Sequence, residues 1–244
     1  MKTILKKILK NQICLRNVLE EFITPELCED VVKSWGKYLK DVPEKFITYE
    51  LCNLAVKKTP FALQDVPEKF INPELCKIAV TKDGEALQFV PKKFRTSELC
   101  KLAVIQDCRA LRYVPEKLRT SELCKIAVTQ DGNALYFVPE RLKTFELCKL
   151  AITENSNALR YVPEKVITYE LCKLAVTKYV WIWPYLSNKF RTPELCKFVV
   201  TQYGKFLKYV PEHLKTLELC ELAVRQDVNA LRYVPGDLKD KIKR

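Results

Sequence analysis

The chain has few of the residues from which catalytic and metal sites are built. Its 244 residues include one histidine, His213, and five glycines, with no Cys-x-x-Cys pair and no glycine-rich phosphate loop. A zinc site needs clustered cysteine and histidine ligands, and covalent catalysis needs a nucleophile beside a base. We therefore expect no enzymatic activity, no cofactor and no bound metal.

Long apolar runs are also missing. No stretch of 18 or more apolar residues is uninterrupted, so we predict no transmembrane helix and no membrane partner. Lys6 and Lys7 interrupt the segment that would form the apolar part of a signal peptide, so we do not expect secretion. No acidic residue precedes Glu20, which leaves a mitochondrial presequence open, but the repeat pattern runs through this region and favours a structural role.

What the chain has instead is one 24-residue sequence unit, first seen in residues 24–47 and copied without insertion or deletion. Each copy begins with a threonine or a substitute, and Glu-Leu-Cys begins two residues after it. Most copies also have a Val-Pro pair in their later part. The threonine positions are Thr24, Thr48, Asn72, Thr96, Thr120, Thr144, Thr168, Thr192, Thr216 and Asp240. We predict a single array over 1–244, with nine repeats in 24–239, a capping partial repeat in 1–23 and a basic tail in 240–244.

Each repeat is typical of a helix, a turn and a shorter helix. The threonine is a good N-cap, and Leu99, Cys100, Ala103 and Val104 have the spacing of one buried helical face. Gly84 and its equivalents are expected to end the first helix in a left-handed conformation, and each Val-Pro pair to end the second. One such unit cannot bury its apolar face alone, so the pattern predicts an all-α, right-handed-type α-solenoid of about nine helix–turn–short-helix repeats.

The segment from Glu98 to Thr120 resembles the tandem repeats called domain of unknown function 4116. N-cap, cysteine, Ala-Val and Val-Pro-Glu match in order, and the resemblance extends over essentially the whole chain. It implies a helical fold without an assigned activity. It also implies a source among giant viruses of amoebae, amoeba-associated bacteria or protists, so that a viral protein would lie in the host cytoplasm.

Eleven cysteines invite a disulfide or metal interpretation, which the spacing disfavours. Nine of them, which we call the cysteine ladder, recur once in each repeat from Cys28 to Cys220 and should lie on the buried face of successive helices. Helices pack ~8–10 Å apart, whereas a disulfide needs Cα atoms within ~7 Å. We interpret these residues as small apolar core residues, which suggests a reducing, cytoplasmic setting. Cys14 and Cys108 are not part of this ladder, and Cys108, at a predicted turn, is the better candidate for an exposed thiol.

The net charge of +12 raises the question of a nucleic-acid partner. An aromatic residue precedes most Val-Pro pairs, and a basic residue often precedes that aromatic. The candidate nucleic-acid contacts are Arg112, Arg160, Lys208 and Arg232. A row of rings beside a row of cations can stack bases and neutralise phosphates, but such rings also pack between repeats. Eight of the charges, moreover, are near the ends, at Lys2, Lys6, Lys7, Lys10, Lys239, Lys241, Lys243 and Arg244.

The seventh repeat departs most from the pattern. It lacks the glycine, displaces the proline and contains Trp181, Trp183 and Tyr185. Trp183 replaces a core leucine and should be buried, whereas Trp181 stands at a polar position and should be exposed. These three residues are the candidate partner-binding site, because tryptophan is enriched at binding hot spots. The alternative is a locally repacked joint without a partner.

The sequence therefore favours a non-catalytic scaffold that presents an extended surface to a protein partner. A nucleic-acid binder is the second hypothesis, and a structural or self-assembling component is the third. The sequence predicts neither the partner nor the oligomeric state.

Overall fold

In the computed structural model the described residues are 15–242, together with residues 4, 8 and 10. The residues discussed above that lie outside this set are Lys2, Lys6, Lys7, Cys14, Lys243 and Arg244. The chain divides into two compact regions, Met1–Ala127 and Val128–Arg244. The single array over 1–244 stays a prediction.

The described residues form helices and turns and contain no strand. Each repeat begins with a ten-residue α-helix: α1 Pro25–Ser34, α2 Tyr49–Lys58, α3 Pro73–Lys82, α4 Ser97–Gln106, α5 Ser121–Gln130, α6 Phe145–Glu154, α7 Tyr169–Lys178, α8 Pro193–Gln202 and α9 Leu217–Gln226. The second helix of each repeat has six residues: Gly36–Asp41, Pro60–Asp65, Gly84–Phe89, Cys108–Tyr113, Gly132–Phe137, Ser156–Tyr161, Val180–Tyr185, Gly204–Tyr209 and Val228–Tyr233. The prediction of an all-α repeat solenoid is thereby confirmed.

The second helices are 3₁₀ helices, a type that the sequence analysis did not specify. Single 3₁₀ turns complete most repeats, at Glu44–Phe46, Glu68–Phe70, Lys92–Phe94, Glu116–Leu118, Glu140–Leu142, Asn188–Phe190 and Glu212–Leu214. Two further turns, Leu15–Asn17 and Glu20–Phe22, precede α1, and a short helix α10, Gly236–Lys239, follows repeat 9. Short 3₁₀ helices fit so short a repeat, because they have a larger rise per residue than an α-helix and rarely continue for many residues.

The first helix of each repeat starts at the predicted cap. In repeat 1 the Thr24 hydroxyl accepts a hydrogen bond from the Leu27 N–H at 3.2 Å, and in repeat 3 the Asn72 side chain accepts from Leu75 at 2.9 Å. Each bond satisfies one of the N–H groups that a helix start leaves unpaired. The cap and the proline that follows it in three repeats therefore fix where each helix begins.

The predicted core face is buried. In repeat 4 the side chains of Cys100, Ala103 and Val104 are fully buried, and Leu99 nearly so. The second helix adds Leu111 to this core, and Val114, the residue before the proline, closes it. Burial of one aliphatic side chain contributes about 1.5–3 kcal/mol, so the stacked apolar faces stabilise helices too short to persist alone.

The glycines act differently from the prediction. Gly84 is the first residue of a second helix and has no left-handed backbone; α3 ends at Lys82, and its C-cap Asp83 is extended with φ −151°. A Cβ added to Gly84 would lie 2.2 Å from the carbonyl oxygen of Ala103 in the next repeat. Glycine is therefore needed there for close approach between repeats, and the prediction of a left-handed cap was wrong.

The same close approach recurs at only some joints between repeats. Gly36, Gly132 and Gly204 meet the carbonyl oxygens of Ala55, Ala151 and Ala223 in the same way, at 2.1–2.2 Å from the added Cβ. The second helices of repeats 1 and 2, 3 and 4, 5 and 6, and 8 and 9 consequently pack closely. The second helices pack less extensively where the first repeat of the two has no glycine at this position, as in repeats 2 and 3, 6 and 7, and 7 and 8.

The second helices therefore associate as glycine-dependent pairs, so that in their packing the structural unit is twice the sequence unit, whereas first helices such as α6 and α7 also pack across the other joints. The pairs are 24–71, 72–119, 120–167 and 192–239. Repeat 7, residues 168–191, lies between the third and fourth pairs in the chain and belongs to neither.

Candidate partner-binding site

The unpaired repeat 7 carries two tryptophans in opposite environments. Trp183 is fully buried in the core position of a leucine, as predicted. The Arg191 guanidinium lies 5.1 Å from the centre of its ring, and burial lowers the pKa of Arg191. Trp181 has 40% of its surface exposed, also as predicted. Trp183 therefore supports the surface from beneath, and Trp181 forms part of it.

Trp181 belongs to an aromatic cluster that joins repeats 7 and 8. Its ring centre lies 5.3 Å from that of Tyr203 and 5.0 Å from that of Phe206, which it meets edge to face. Phe206 is buried and anchors the cluster, whereas Tyr203 is partly exposed. The Lys205 ammonium lies 4.8 Å from the Trp181 ring centre, within the range of a cation–π interaction.

An open groove of about 420 Å³ runs beside this cluster. Tyr179, Trp181 and Tyr203 line it together with apolar Val176 and Phe198. We call it the aromatic groove; its other lining residues are Thr177, Lys178, Val180 and Gln202. Three exposed rings around one open groove are typical of a recognition site, because each ring buries a large area with few rotatable bonds.

The sequence analysis missed Tyr179 and Tyr203. Both stand at the position between the two helices of a repeat, where five repeats have an aspartate or asparagine whose side chain accepts from the N–H two residues later. Tyr179 and Tyr203 make no such cap. A recognisable signal was therefore present, because an aromatic at a capping position gives up a local hydrogen bond and places a ring at the surface.

The joint beside the groove is one of the loosely packed ones. At the positions equivalent to Gly84 and Ala103 it has Val180 and Val199. The second helices of repeats 7 and 8 also pack less extensively than those at the glycine-bearing joints. The less extensive packing at this joint thus coincides with the exposed rings.

Tyr185, the third candidate residue, is 74% exposed and contacts a different group. The Arg160 guanidinium of repeat 6 lies 5.6 Å from its ring centre. It is not one of the rings that pack around Trp181. The structure therefore places Trp181 alone of the three candidates in the aromatic cluster.

The candidate nucleic-acid contacts Arg112, Arg160, Lys208 and Arg232 are all exposed. Arg112 lies 4.6 Å from the Tyr113 ring centre, Lys208 5.1 Å from that of Tyr209 and Arg232 5.7 Å from that of Tyr233. Arg112 also forms an ion pair with Glu85 at 2.6 Å. The rings of Tyr113, Tyr209 and Tyr233 are half-buried and each is covered by one of these cations, so they present little free face for stacking a base.

A second set of basic residues, which the sequence analysis also missed, acts on the backbone. Arg95 donates to the carbonyls of Val90 at 2.8 Å and Gln88 at 3.0 Å, and to Tyr113 of the next repeat at 2.8 Å. Arg191 reaches Tyr209 and Lys215 reaches Tyr233 across the same interval. A cation at the carbonyl end of a helix is favourable, so these side chains tie one second helix to the next.

The cysteine ladder is buried and reduced. Burial raises the pKa of Cys28, Cys52 and Cys100 to about 11, and that of Cys172 to about 12. Thiolates are the reactive and metal-binding form, so these thiols are unreactive at neutral pH. Cys108 begins the second helix of repeat 4 and is half-buried.

Within residues 15–242 no three histidine, cysteine or acidic side chains are grouped closely enough to hold a metal ion. No helix in the described part of the chain is long and apolar enough to cross a membrane.

The repeats match a known protein family. The family described as Domain of unknown function (DUF4116) matches residues 72–119, 120–167 and 192–239. The chain belongs to the DUF4116 family. Comparisons with curated proteins and with solved structures give no match.

Each DUF4116 match spans two repeats and starts at a glycine-bearing one, so it coincides with one of the closely packed pairs. The interval between the second and third DUF4116 matches is repeat 7, residues 168–191. Family comparison and backbone packing thus agree on three pairs, 72–119, 120–167 and 192–239. Both leave repeat 7 outside them.

Proposed function

We propose that the protein is a non-catalytic, cytoplasmic scaffold that binds a protein partner through the aromatic groove of repeats 7 and 8. The observation that carries the proposal is the exposure of Tyr179, Trp181 and Tyr203 around one groove, at the repeat that stands outside the pairs. An exposed tryptophan with a buried anchor such as Phe206 beneath it is the usual composition of an interface hot spot.

Two further observations support this proposal over the alternatives. The high pKa of the ladder thiols suits a protein that is neither a thiol catalyst nor a disulfide-bonded secreted domain. The cations Arg112 and Lys208 already cover tyrosine rings, which disfavours a one-base-per-repeat interaction with RNA or DNA.

The proposal is tested by selecting ligands from a displayed library of random peptides on the wild-type protein. Enriched peptides are then measured by fluorescence anisotropy against the wild type, Trp181→Ala and Tyr136→Ala. Tyr136 is another exposed aromatic, in the closely packed repeat 5, and serves as the matched control. We expect binding to weaken roughly tenfold or more in Trp181→Ala and to change little in Tyr136→Ala.

If no enriched peptide distinguishes Trp181→Ala from the wild type, the aromatic groove is not the binding site and the proposal fails. A mixed RNA and DNA pool, measured at two salt concentrations, tests the second hypothesis. Binding that falls steeply with salt and disappears on neutralising Arg112, Arg160, Lys208 and Arg232 would favour nucleic acid instead.

A further inference from the structure

The surroundings of the aromatic groove are strongly basic. Residues 171–210 include one acidic residue, Glu194, and seven basic ones, so they hold half of the net charge of +12. The basic residues are Lys173, Lys178, Lys189, Arg191, Lys197, Lys205 and Lys208. Repeat 7 also departs from the usual residue at two positions, because Tyr179 stands where most repeats have Asp or Asn, and the uncharged Asn188 stands where most have Glu.

Several of these cations already have acceptors within the protein. Lys189 pairs with Glu164, and Lys197 pairs with Glu218 at 2.8 Å. Lys178 donates to the Thr153 carbonyl. Lys205 and Lys208 are different, because both are exposed and lie against the rings of Trp181 and Tyr209.

The equivalent positions of repeats 3 and 4 indicate what these two lysines lack. There Glu85 receives two cations of the next repeat, Arg112 at 2.6 Å and Arg109 at 3.3 Å. One pair of repeats thus supplies both the carboxylate and the two basic groups around it.

In repeats 7 and 8 the same three positions are Trp181, Lys205 and Lys208. The cations are kept, and the carboxylate between them is replaced by an exposed indole beside an open groove. Two like charges held next to an exposed indole favour a ligand that brings both a carboxylate and an apolar side chain.

We infer that the aromatic groove takes an acidic segment of its protein partner, in which an aromatic or aliphatic side chain enters the groove and a neighbouring Asp or Glu reaches Lys205 and Lys208. This inference rests on the function proposed above. The partner's carboxylate would then pair with these two lysines as Glu85 pairs with Arg109 and Arg112 in repeats 3 and 4. Nucleic acid fits less well, because Lys205 lies over the Trp181 ring and Phe206 meets it edge to face, which leaves less of the indole free for stacking on a base.

The test uses the peptides enriched on the wild-type protein, from a library without charge bias. We expect peptides that depend on Trp181 to carry an excess of Asp and Glu beside an aromatic or aliphatic residue. Their affinity should fall about threefold to fivefold in each of Lys205→Gln and Lys208→Gln, and should decrease as salt rises. Lys101→Gln, which removes an exposed lysine of repeat 4, is the control and should change little.

Two substitutions at one position separate charge from shape. Trp181→Gln and Trp181→Glu both remove the indole from an exposed site, but only the second supplies the carboxylate that Glu85 supplies elsewhere. We expect Trp181→Glu to bind the acidic peptides several-fold more weakly than Trp181→Gln does, because the new carboxylate of the protein itself then pairs with Lys205 and Lys208. Circular dichroism and the thermal midpoint establish that both variants are folded.

The possible results distinguish the two proposals. Peptides that depend on Trp181 but carry no excess of acidic residues overturn the inference and leave the binding groove in place. Equal binding by Trp181→Glu and Trp181→Gln, or no effect of either lysine substitution, also overturns it. The absence of any peptide that depends on Trp181 contradicts the proposed function itself. Displacement of the peptides by a single-stranded oligothymidylate at lower concentration than by unlabelled peptide would favour nucleic acid.

Discussion

Gly84 lies so close to Ala103 of the next repeat that a Cβ on the glycine would stand 2.2 Å from the alanine carbonyl oxygen. No side chain fits in that space without moving the backbone, so the contact joins repeats 3 and 4 at a distance that only glycine permits. The same geometry at Gly36, Gly132 and Gly204 divides the array into pairs.

Substitution of this glycine tests the pairing. We expect Gly84→Ala to lower the free energy of unfolding by about 1–3 kcal/mol, because the new methyl group forces two packed helices apart. Gly236→Ala is the matched control, since a Cβ there meets nothing within 4 Å. Urea unfolding followed by circular dichroism measures both. Equal stability of the two variants would mean that the close approach is not needed.

The unpaired repeat should open more readily than a paired one. We expect backbone amides of Val180–Tyr185 to exchange hydrogen at least about tenfold faster than those of Gly132–Phe137, because the former helix packs less extensively on its neighbours. Both helices have six residues and 3₁₀ hydrogen bonds, and the comparison leaves out Pro184, which has no backbone N–H, and its equivalent Tyr136. Hydrogen–deuterium exchange with mass spectrometry measures the difference. Similar protection of the two helices would contradict a looser joint at repeat 7.

The two sets of basic residues should differ in their effect on stability. We expect Arg95→Met to cost about 1–3 kcal/mol, because the backbone carbonyls of Val90, Gln88 and Tyr113 lose a donor. Arg112→Met should cost less than about 1 kcal/mol, since its ion pair with Glu85 is exposed on the arginine side. Denaturant midpoints decide between them, and a larger cost at Arg112 would reverse the assignment of roles.

Asp107 should make stability depend on acid. It accepts from the Arg109 N–H at 2.8 Å, and the hydrogen bond from the Arg109 guanidinium is the main reason why its pKa is lowered. A carboxyl group with a depressed pKa in the folded state contributes its stability above its unfolded pKa of about 4. That contribution is lost as the pH falls through the lower, folded value.

We therefore expect Asp107→Asn to be less stable than the wild type at pH 7, by no more than about 1 kcal/mol, and the difference to shrink below pH 4. Free energies of unfolding measured from pH 7 to pH 2.5 test this expectation. Asp131→Asn is the control, because that cap is followed by Asn133 and not by an arginine. A difference that stays constant down to pH 2.5 would show that the charge of Asp107 is not involved.

The local structure of this protein could be predicted from the sequence because each signal acts within a few residues. Thr24 caps the helix that it precedes, Cys100 and Ala103 share a face because of the helical period, and Val114 ends a helix because a proline follows it. The burial of Trp183 and the exposure of Trp181 were likewise predictable from their positions in the period.

The function of Gly84 could not be predicted in this way, since its reason lies in Ala103 of another repeat. A glycine after a helix is most often a left-handed cap, and only the packed neighbour distinguishes that conformation from a close approach. The aromatic groove depended on the same kind of information. Tyr179 and Tyr203 hold equivalent positions in successive repeats, and only the stacking of the repeats shows that both line one groove with Trp181.

The sequence by itself determined the repeat, its helices, its caps and its buried face, because these follow from hydrogen bonds and periodicity within one unit. Only the tertiary structure decided that the repeats associate in pairs and that repeat 7 stands apart. It also decided which cations bind carbonyls, which cover rings and which lack the carboxylate that Glu85 provides elsewhere. Those distinctions depend on which side chain of the next repeat lies within a few ångströms, and the pattern of a single repeat does not contain that distance.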